Sequence, residues 1–298
     1  MKLIHALNDY VELQHQEKTL FCYNYAPTYD PWESRKPFMH PINTLAGNEI
    51  TCYRPHDHVW HKGLQMTMAH LSGQNFWGGF SYVRDQGYQK LDNIGRMQHL
   101  AWDELTCQGS NVVLRHQLQW ITQSNQQWLH EHREIRLAEL NLDQGYYSLD
   151  WQLRLKNIFS QNLKFGSPTI EGRVNVGYGG LFWRGPRSFT NGQILAANNL
   201  EGADTMGKSA PWCAFIGTHD GTADKSTILF IDRAGNPNYP NKWFARTKEF
   251  ACMAFSFSFD QEVELPPGKE LSLNYRTLFA HGDWNRDRIE HYAKSFSA

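Results

Sequence analysis

The sequence has no excess of charge of one sign and no long hydrophobic run. It carries 29 Lys and Arg against 30 Asp and Glu, for a net charge of -1 with histidine neutral. Phosphate backbones and anionic membrane surfaces are recognised by clustered positive charge, which this chain lacks. No stretch approaches the roughly 20 apolar residues that a membrane-spanning helix needs. We therefore expect neither nucleic acid nor a membrane as a partner.

Paired cysteines are also lacking. The five cysteines are widely spaced and none forms a Cys-x-x-Cys pair, which argues against a disulfide framework and against a thiolate zinc site. The opening "MKLIHALNDYVELQHQ" has only a short apolar stretch, interrupted by His5 and Asn8, so it does not predict a secretory signal. We expect a cytoplasmic protein.

Aromatic residues, by contrast, are abundant. The chain has 11 Trp, 13 Tyr and 17 Phe, and many of them stand beside Gly, Asn, Arg or His. Planar side chains next to polar groups can bind the apolar faces and hydroxyl edges of sugars. They can equally fill the core of a β-sandwich, and the composition alone leaves both uses open.

Alternation of apolar and polar residues at period two predicts an almost entirely β fold. It is clearest over residues 98–158, where four alternating segments predict an antiparallel meander with one face on a core. Only "NRDRIEHYAKSF" predicts a helix, capped by Asp283 or Asn285. With no low-complexity linker, we predict one domain over residues 1–298, a large antiparallel β-sandwich. A barrel or a cupin-like double sheet is the alternative.

The segment "RPHDHVWHKGL", residues 54–64, is the strongest candidate for chemistry. His58 and His61 lie three apart, so they converge only if Val59 and Trp60 form a turn. Such histidines could bind a divalent transition metal together with a further ligand. Alternatively, Asp57 could hold one imidazole in a single tautomer that acts as an acid or base. Hydrogen bonding at a strand end, with no chemical role, is the third interpretation.

A second constellation is "GRVNVGYGGLFWRGPRSF". It places Tyr178, Trp183, Arg184 and Arg187 around a Gly-Gly pair that permits close backbone approach. Two arginines near aromatic rings can hold a carboxylate, a keto oxygen or a pair of hydroxyls through forked hydrogen bonds. The alternative is that these are surface arginines whose stems lie on aromatic rings.

Residues 35–78 resemble the opening of a large bacterial family labelled PmoA-like and catalogued as a domain of unknown function. The segment "NPNYPNKW" is similar to the Asn-Pro-x-x-Pro-x-x-Trp segment of that family, and the resemblance extends to residue 296. The chain departs from the family at Trp60 and Phe244, where members often have histidine, and this weakens any metal site that uses those positions. The matching residues of the opening are Arg35, Pro37, His40, Pro41, Asp57, His58, His61, Gly63, Asn75, Phe76, Trp77 and Gly78.

The family label suggests methane oxidation, which we discard because that subunit is an integral membrane protein and this chain has no apolar span. The resemblance instead implies sugar and glycoside catabolism on a mutarotase-like supersandwich. We expect an epimerase, lyase or hydrolase acting on a sugar or an oxidised sugar. A non-catalytic carbohydrate-binding protein is the alternative, and homo-oligomer formation stays open.

His58 and His61 are the expected acid/base groups or metal ligands, with Asp57 orienting one of them. The expected substrate-binding residues are His56, Trp77, Tyr178, Trp183, Arg184, Arg187, Asn236 and Trp243.

Overall fold

The computed structural model describes residues 1–296, which form antiparallel strands and one α-helix. The strands of the first half are β1 (Lys2–Ala6), β2 (Tyr10–His15), β3 (Lys18–Asn24), β4 (Phe38–Ile42), β5 (Leu64–Met68), β6 (His70–Leu71), β7 (Ser81–Val83), β8 (Gly87–Gln89), β9 (Arg96–Gln108), β10 (Asn111–Ile121) and β11 (Gln127–Asn141). Those of the second half are β12 (Tyr146–Asn157), β13 (Leu163–Gly166), β14 (Gly179–Arg184), β15 (Gln193–Ala196), β16 (Trp212–Thr218), β17 (Lys225–Asp232), β18 (Lys242–Arg246), β19 (Cys252–Ser256), β20 (Val263–Leu265) and β21 (Glu270–His281).

Most strands belong to two eight-stranded sheets. The first sheet has the order β1-β2-β3-β4-β5-β14-β19-β18, and the second has the order β15-β16-β17-β21-β12-β11-β10-β9. Strands β20, β13 and β6 form a small third sheet, and β7 pairs with β8.

The two large sheets pack face to face over a large hydrophobic cluster. Phe230 of β17 stacks on Phe255 of β19 with ring centroids 4.8 Å apart, and Trp183 of β14 meets Phe215 of β16 at 5.2 Å. Each pair joins one sheet to the other. The predicted fold class, an all-β antiparallel sandwich with a short C-terminal helix, is confirmed.

The meander predicted over residues 98–158 is present as β9 to β12. Trp120 and Trp151, at internal positions of the meander, are 0% and 2% exposed. Trp102 is half-buried and packs against the same core. It lies on β9, the edge strand of the second sheet, where one side of the ring has no neighbouring strand to cover it.

Two charged residues of β11 point into the core, against the simple apolar-inward pattern. Glu131 and Arg133 are both fully buried and form an ion pair at 2.6 Å. The indole of Trp120 donates to Glu131 at 2.6 Å, and Arg133 donates to the hydroxyl of Tyr23 on the opposite sheet at 3.1 Å. These bonds satisfy both charges, which is the condition under which buried ions are tolerated.

The predicted helix is α1, Arg286–Lys294. Of the two predicted caps, Asn285 performs the role, since its side chain accepts from the backbone N–H of Arg288 at 2.9 Å. Asp283 instead pairs with Lys225 at 2.8 Å. No helix within residues 1–296 is long and apolar enough to cross a membrane.

The first sheet carries apolar residues on both faces. On β14 and β18, Trp183 and Trp243 belong to the main core, while their neighbours Phe182 and Phe244 belong to a second cluster. Successive side chains of a strand point to opposite faces. The second cluster therefore lies on the face turned away from the second sheet, which we call the outer face.

We expect the chain to unfold in one cooperative thermal transition, because residues from both sheets share the main hydrophobic cluster and no sheet can lose it alone. Calorimetry should give equal calorimetric and van't Hoff enthalpies. Two separable transitions, or a stable proteolytic fragment ending near residue 160, would contradict the single-domain prediction.

Candidate functional site

A cavity of about 300 Å³ opens on the outer face of the first sheet. Its volume is at the lower end of the range of small-molecule sites, roughly 300–1,000 Å³. The lining residues are Asp57, His58, Trp60, His61, Trp77, Phe80, Tyr88, Arg173, Val176, Tyr178, Phe244, Arg246 and Phe250.

The histidine segment forms a closed loop at the edge of this cavity. The backbone N–H of Arg54 donates to the carbonyl of His61 at 3.0 Å, and that of His61 donates to the carbonyl of His58 at 2.9 Å. The second bond makes the turn at Val59 and Trp60 that convergence requires. As a result, the rings of His58 and His61 stack with centroids 4.7 Å apart.

A buried ion pair holds this loop to the short 3₁₀ helix Pro31–Glu33. Lys62, which is fully buried, donates to Glu33 at 2.6 Å and to the carbonyl of Val59 at 2.9 Å. Glu33 also accepts from Arg54 at 2.6 Å. Burial lowers the pKa of Lys62 to about 8, against the opposing effect of Glu33. The turn between the two histidines is thus tied to a charged residue that has no contact with solvent.

Two glycines form the surface on which Trp60 rests. Gly78 and Gly79 have φ of +105° and +68°, and a Cβ at either would lie 2.7 Å from Trp60 atoms. Only glycine adopts such φ values freely and leaves space for the indole. The Trp-Gly-Gly sequence therefore fixes the position of one aromatic wall of the cavity.

Asp57 sets the tautomer of His58. Asp57 Oδ2 lies 2.8 Å from His58 Nδ1, and because an ionised carboxylate only accepts hydrogen bonds, Nδ1 carries the proton. Burial lowers the pKa of His58, although the bond to Asp57 acts in the opposite direction. The pKa of Asp57 falls to about 2; burial would raise it, but the hydrogen bond from His58 and the charge of Arg184 outweigh that effect. Neutral His58 therefore has a free lone pair on Nε2.

Arg184 sets the opposite tautomer in His61. Arg184 Nη1 donates to His61 Nδ1 at 3.1 Å, and because a guanidinium can only donate, the proton of neutral His61 is on Nε2. Burial, with the nearby charges of His58 and Arg184, lowers the pKa of His61 well below its usual value. His61 is only 2% exposed, and its Nε2 is buried without a hydrogen-bond partner.

Arg187 holds the outside of the loop. Its guanidinium donates to Asp57 at 3.0 Å and to His56 Nδ1 at 2.9 Å. Neither Arg187 nor His56 is among the residues that line the cavity; Arg187 positions Asp57, and His56 contacts Arg187.

The donor set does not fit a transition metal. His58 could offer Nε2 to a metal, since Asp57 holds its Nδ1 proton, but His61 could not, because Arg184 occupies its Nδ1 and its Nε2 carries a proton. Within residues 1–296, no group of three or more His, Cys, Asp or Glu side chains is arranged to hold a metal ion. The geometry favours the acid/base alternative over the metal alternative.

Aromatic rings enclose the two histidines. His61 lies edge-on to Trp77 at 5.3 Å, and Trp77 packs on Tyr178 at 4.5 Å. On the other side, Phe250 lies 5.1 Å from His58 and 3.8 Å from the guanidinium carbon of Arg184. Trp77, Tyr178 and Arg184 thus lie at the site, as the sequence suggested.

Three expected binding residues lie elsewhere. Trp183 and Trp243 are fully buried, and their indoles donate to the carbonyls of Ile50 and Ala210, both at 2.8 Å. Asn236 bonds to Asp232 and to the backbone of Asn274, each at 2.7 Å. In this structure the polar groups of all three bond within the protein, and none of the three lines the cavity.

Several lining residues were missed from the sequence. Phe244 and Trp60 were interpreted only as departures from a histidine pattern, and Arg173 and Arg246 were not selected. The signal for Phe244 and Arg246 was strand alternation, since both lie on the face of β18 opposite to Trp243. Tyr88 and Phe80 are 40% and 46% exposed; Tyr88 lies in the three-residue strand β8, too short to show a sequence period, and Phe80 precedes β7.

The fit of Trp60 against Gly79 gives a direct test of the cavity wall. We expect Gly79→Ala to destabilise the protein by roughly 1–3 kcal/mol more than Gly109→Ala, because a methyl group would collide with the indole. Gly109 is the matched control, with φ of +61° and nothing within 4 Å of an added Cβ. Chemical denaturation followed by tryptophan fluorescence measures both. If both variants lose the same free energy of unfolding, the contact between Gly79 and Trp60 does not contribute to stability.

Three of the solved structures that match this chain come from bacteria and differ widely from it in sequence. Galactose 1-epimerase from Lactobacillus acidophilus NCFM is 10% identical with a TM-score of 0.39, and the match covers 92% of this chain and 99% of that one. A protein from Synechocystis sp. PCC 6803 is 11% identical with a TM-score of 0.42, over 95% of this chain and 99% of that one. An alpha-galactosidase from Geobacillus stearothermophilus, solved with raffinose, is 9% identical with a TM-score of 0.38, over 97% of this chain.

This chain spans 41% of the alpha-galactosidase chain. The three TM-scores lie below 0.5. No curated protein matches the sequence.

The sequence model of one family matches residues 10–294. It is not the PmoA-like family that the motifs were expected to indicate, so that assignment is wrong. The chain belongs to a family of unknown function, DUF6807.

Proposed function

We propose that this protein is an enzyme that removes a proton from the carbon next to the carbonyl of a small sugar or oxidised sugar. The observation that carries the proposal is the pair of opposite tautomers at the cavity. His58 offers a lone pair on Nε2 because Asp57 holds its Nδ1 proton. His61 offers an N–H on Nε2 because Arg184 occupies its Nδ1.

His58 is the proposed base. Proton abstraction by His58 Nε2 produces an imidazolium, and the Asp57 carboxylate at 2.8 Å stabilises that charge as it forms. The lowered pKa of His58 keeps the imidazole neutral, and so able to accept a proton, at neutral pH.

His61 is the proposed oxyanion donor. As the proton leaves the carbon, its electron pair forms a carbon–carbon double bond and negative charge moves onto the carbonyl oxygen. A hydrogen bond from neutral His61 Nε2, with the Arg184 guanidinium behind it, stabilises that oxygen without prior loss of a proton. The ligand oxygen would also satisfy a buried N–H that has no partner and whose isolation costs about 1–3 kcal/mol.

The fate of the enolate decides the reaction. Protonation of the carbon on its other face by a solvent water, with His58 releasing its proton to solvent, gives an epimer, whereas loss of a leaving group from the next carbon gives elimination. Hydrolysis by the common pair of carboxylates has less support, because Asp57 is the one Asp or Glu among the lining residues within the described chain and it is already bonded to His58 and Arg187.

The residues that line the cavity support a sugar as the substrate. Trp60, Trp77, Phe80 and Tyr178 line the cavity together with the polar groups of the two histidines. Aromatic faces pack on the C–H faces of sugar rings, and imidazole and hydroxyl groups bond to their oxygens. The volume of about 300 Å³ matches a single sugar.

The proposal predicts exchange of carbon-bound hydrogen with solvent. In D₂O, the wild-type protein should incorporate deuterium next to the carbonyl of at least one aldose, ketose or 3-keto sugar, measured by NMR. We expect His58→Ala to reduce the exchange rate by about a hundredfold or more, because general base catalysis is lost. Affinity for the same sugar should change by less than about tenfold.

His132→Ala is the matched control. His132 also bonds an aspartate through Nδ1, to Asp103 at 3.4 Å, but lies on β11 away from the cavity, so its exchange rate should equal that of the wild type. Binding of sugars without exchange in the wild-type protein would instead establish the non-catalytic carbohydrate-binding alternative.

A further inference from the structure

The cavity contains more positive charge than its chemistry requires. Of its lining residues, Asp57 is negative and Arg173 and Arg246 are positive. Asp57 is already bonded by His58 and Arg187, so it cannot also neutralise the other two arginines. Within residues 1–296, neither Arg173 nor Arg246 forms an ion pair with a carboxylate.

Arg246 is held against the aromatic wall. It ends β18 on the same face as Phe244, and its guanidinium carbon lies 5.0 Å from the centre of the Phe244 ring. Phe244 in turn packs on Tyr178 at 5.6 Å. This stacking orients the guanidinium while leaving its N–H groups free for a ligand.

Arg173, in the loop before β14, is linked to Tyr178 through Tyr88. Its guanidinium carbon lies 4.6 Å from the centre of the Tyr88 ring, and it donates to the Tyr88 hydroxyl. That hydroxyl lies 3.1 Å from the hydroxyl of Tyr178. Burial raises the pKa of Tyr178, and the charges of both Arg173 and Arg246 act against that rise, so both guanidinium groups lie within electrostatic reach of one side chain.

We infer that the substrate carries an anionic group, a carboxylate or a phosphate, which Arg246 and Arg173 bind at the Tyr178 end of the cavity while its reacting carbon faces His58. This inference rests on the proposed function and names its substrate class as an acidic sugar. A forked guanidinium matches the paired oxygens of either group. In the bound state, the anionic group of the substrate would pair with the two arginines, which have no carboxylate partner in the free protein.

The test pairs each acidic sugar with its neutral parent. D-glucuronate and D-galacturonate represent carboxylates, D-glucose 6-phosphate represents phosphates, and D-glucose and D-galactose are the neutral references. Binding is measured by calorimetry and by the fluorescence of Trp60 and Trp77 in the cavity wall. We expect at least one acidic sugar to bind about tenfold or more tightly than its parent, and the comparison of uronates with the phosphate identifies the group.

Variants separate the charge from the packing. Arg246→Met should remove most of that preference, while Arg246→Lys should retain part of it because the charge remains. Arg154→Met is the control; Arg154 is exposed on β12 of the other sheet, so the preference should not change. No preference for any acidic sugar, or a preference that survives replacement of both Arg173 and Arg246 by Met, would overturn the inference.

These outcomes are distinct from failure of the proposed function. Deuterium exchange on a neutral sugar with no preference for acids would leave the enolisation chemistry standing and remove the anion site. Tight binding of an acidic sugar without exchange on any sugar would leave the anion site standing and remove the chemistry.

Discussion

The hydrogen bond from Arg184 to His61 is the interaction on which the rest of the site depends. Arg184 ends β14, and its backbone also joins the histidine loop to the sheet, donating to the carbonyl of Gly63 at 2.8 Å and accepting from Cys52 at 3.0 Å. Its side chain, 1% exposed, fixes the tautomer of His61 because a guanidinium cannot accept a hydrogen bond. Arg184 therefore sets both the position of the histidine loop and the ring nitrogen of His61 that carries the proton.

Two polar atoms of this arrangement lack a hydrogen-bond partner. Arg184 Nε and His61 Nε2 are both buried without partners, although buried polar groups are nearly always bonded. Elsewhere the core satisfies its charges, as Glu131 and Arg133 do with Trp120 and Tyr23. Sites where a protein departs from such rules are often functional, and a ligand oxygen at His61 would restore one of the missing bonds.

Period-two alternation predicted the sandwich and the meander, and an apolar face at helical spacing predicted the helix, because both patterns are local. The clustering of imidazoles and a carboxylate within residues 54–64 selected His58, His61 and Asp57. Trp183 was selected for its place beside the Gly-Gly pair and Trp243 from the family resemblance, and both lie on the face of the first sheet opposite to Phe244. Arg173 and Tyr88 meet although they are distant in sequence, and no sequence period reports such contacts.

The tautomers of the two histidines test the central claim most directly. A long-range ¹H–¹⁵N NMR spectrum of the ¹⁵N-labelled protein at neutral pH, assigned with His58→Asn and His61→Asn, reports which ring nitrogen carries the proton. The geometry predicts a neutral His58 protonated on Nδ1, which titrates below the ordinary histidine pKa of about 6.5, and a neutral His61 protonated on Nε2 throughout. A His58 protonated on Nε2, or a His61 protonated on Nδ1, would contradict the account.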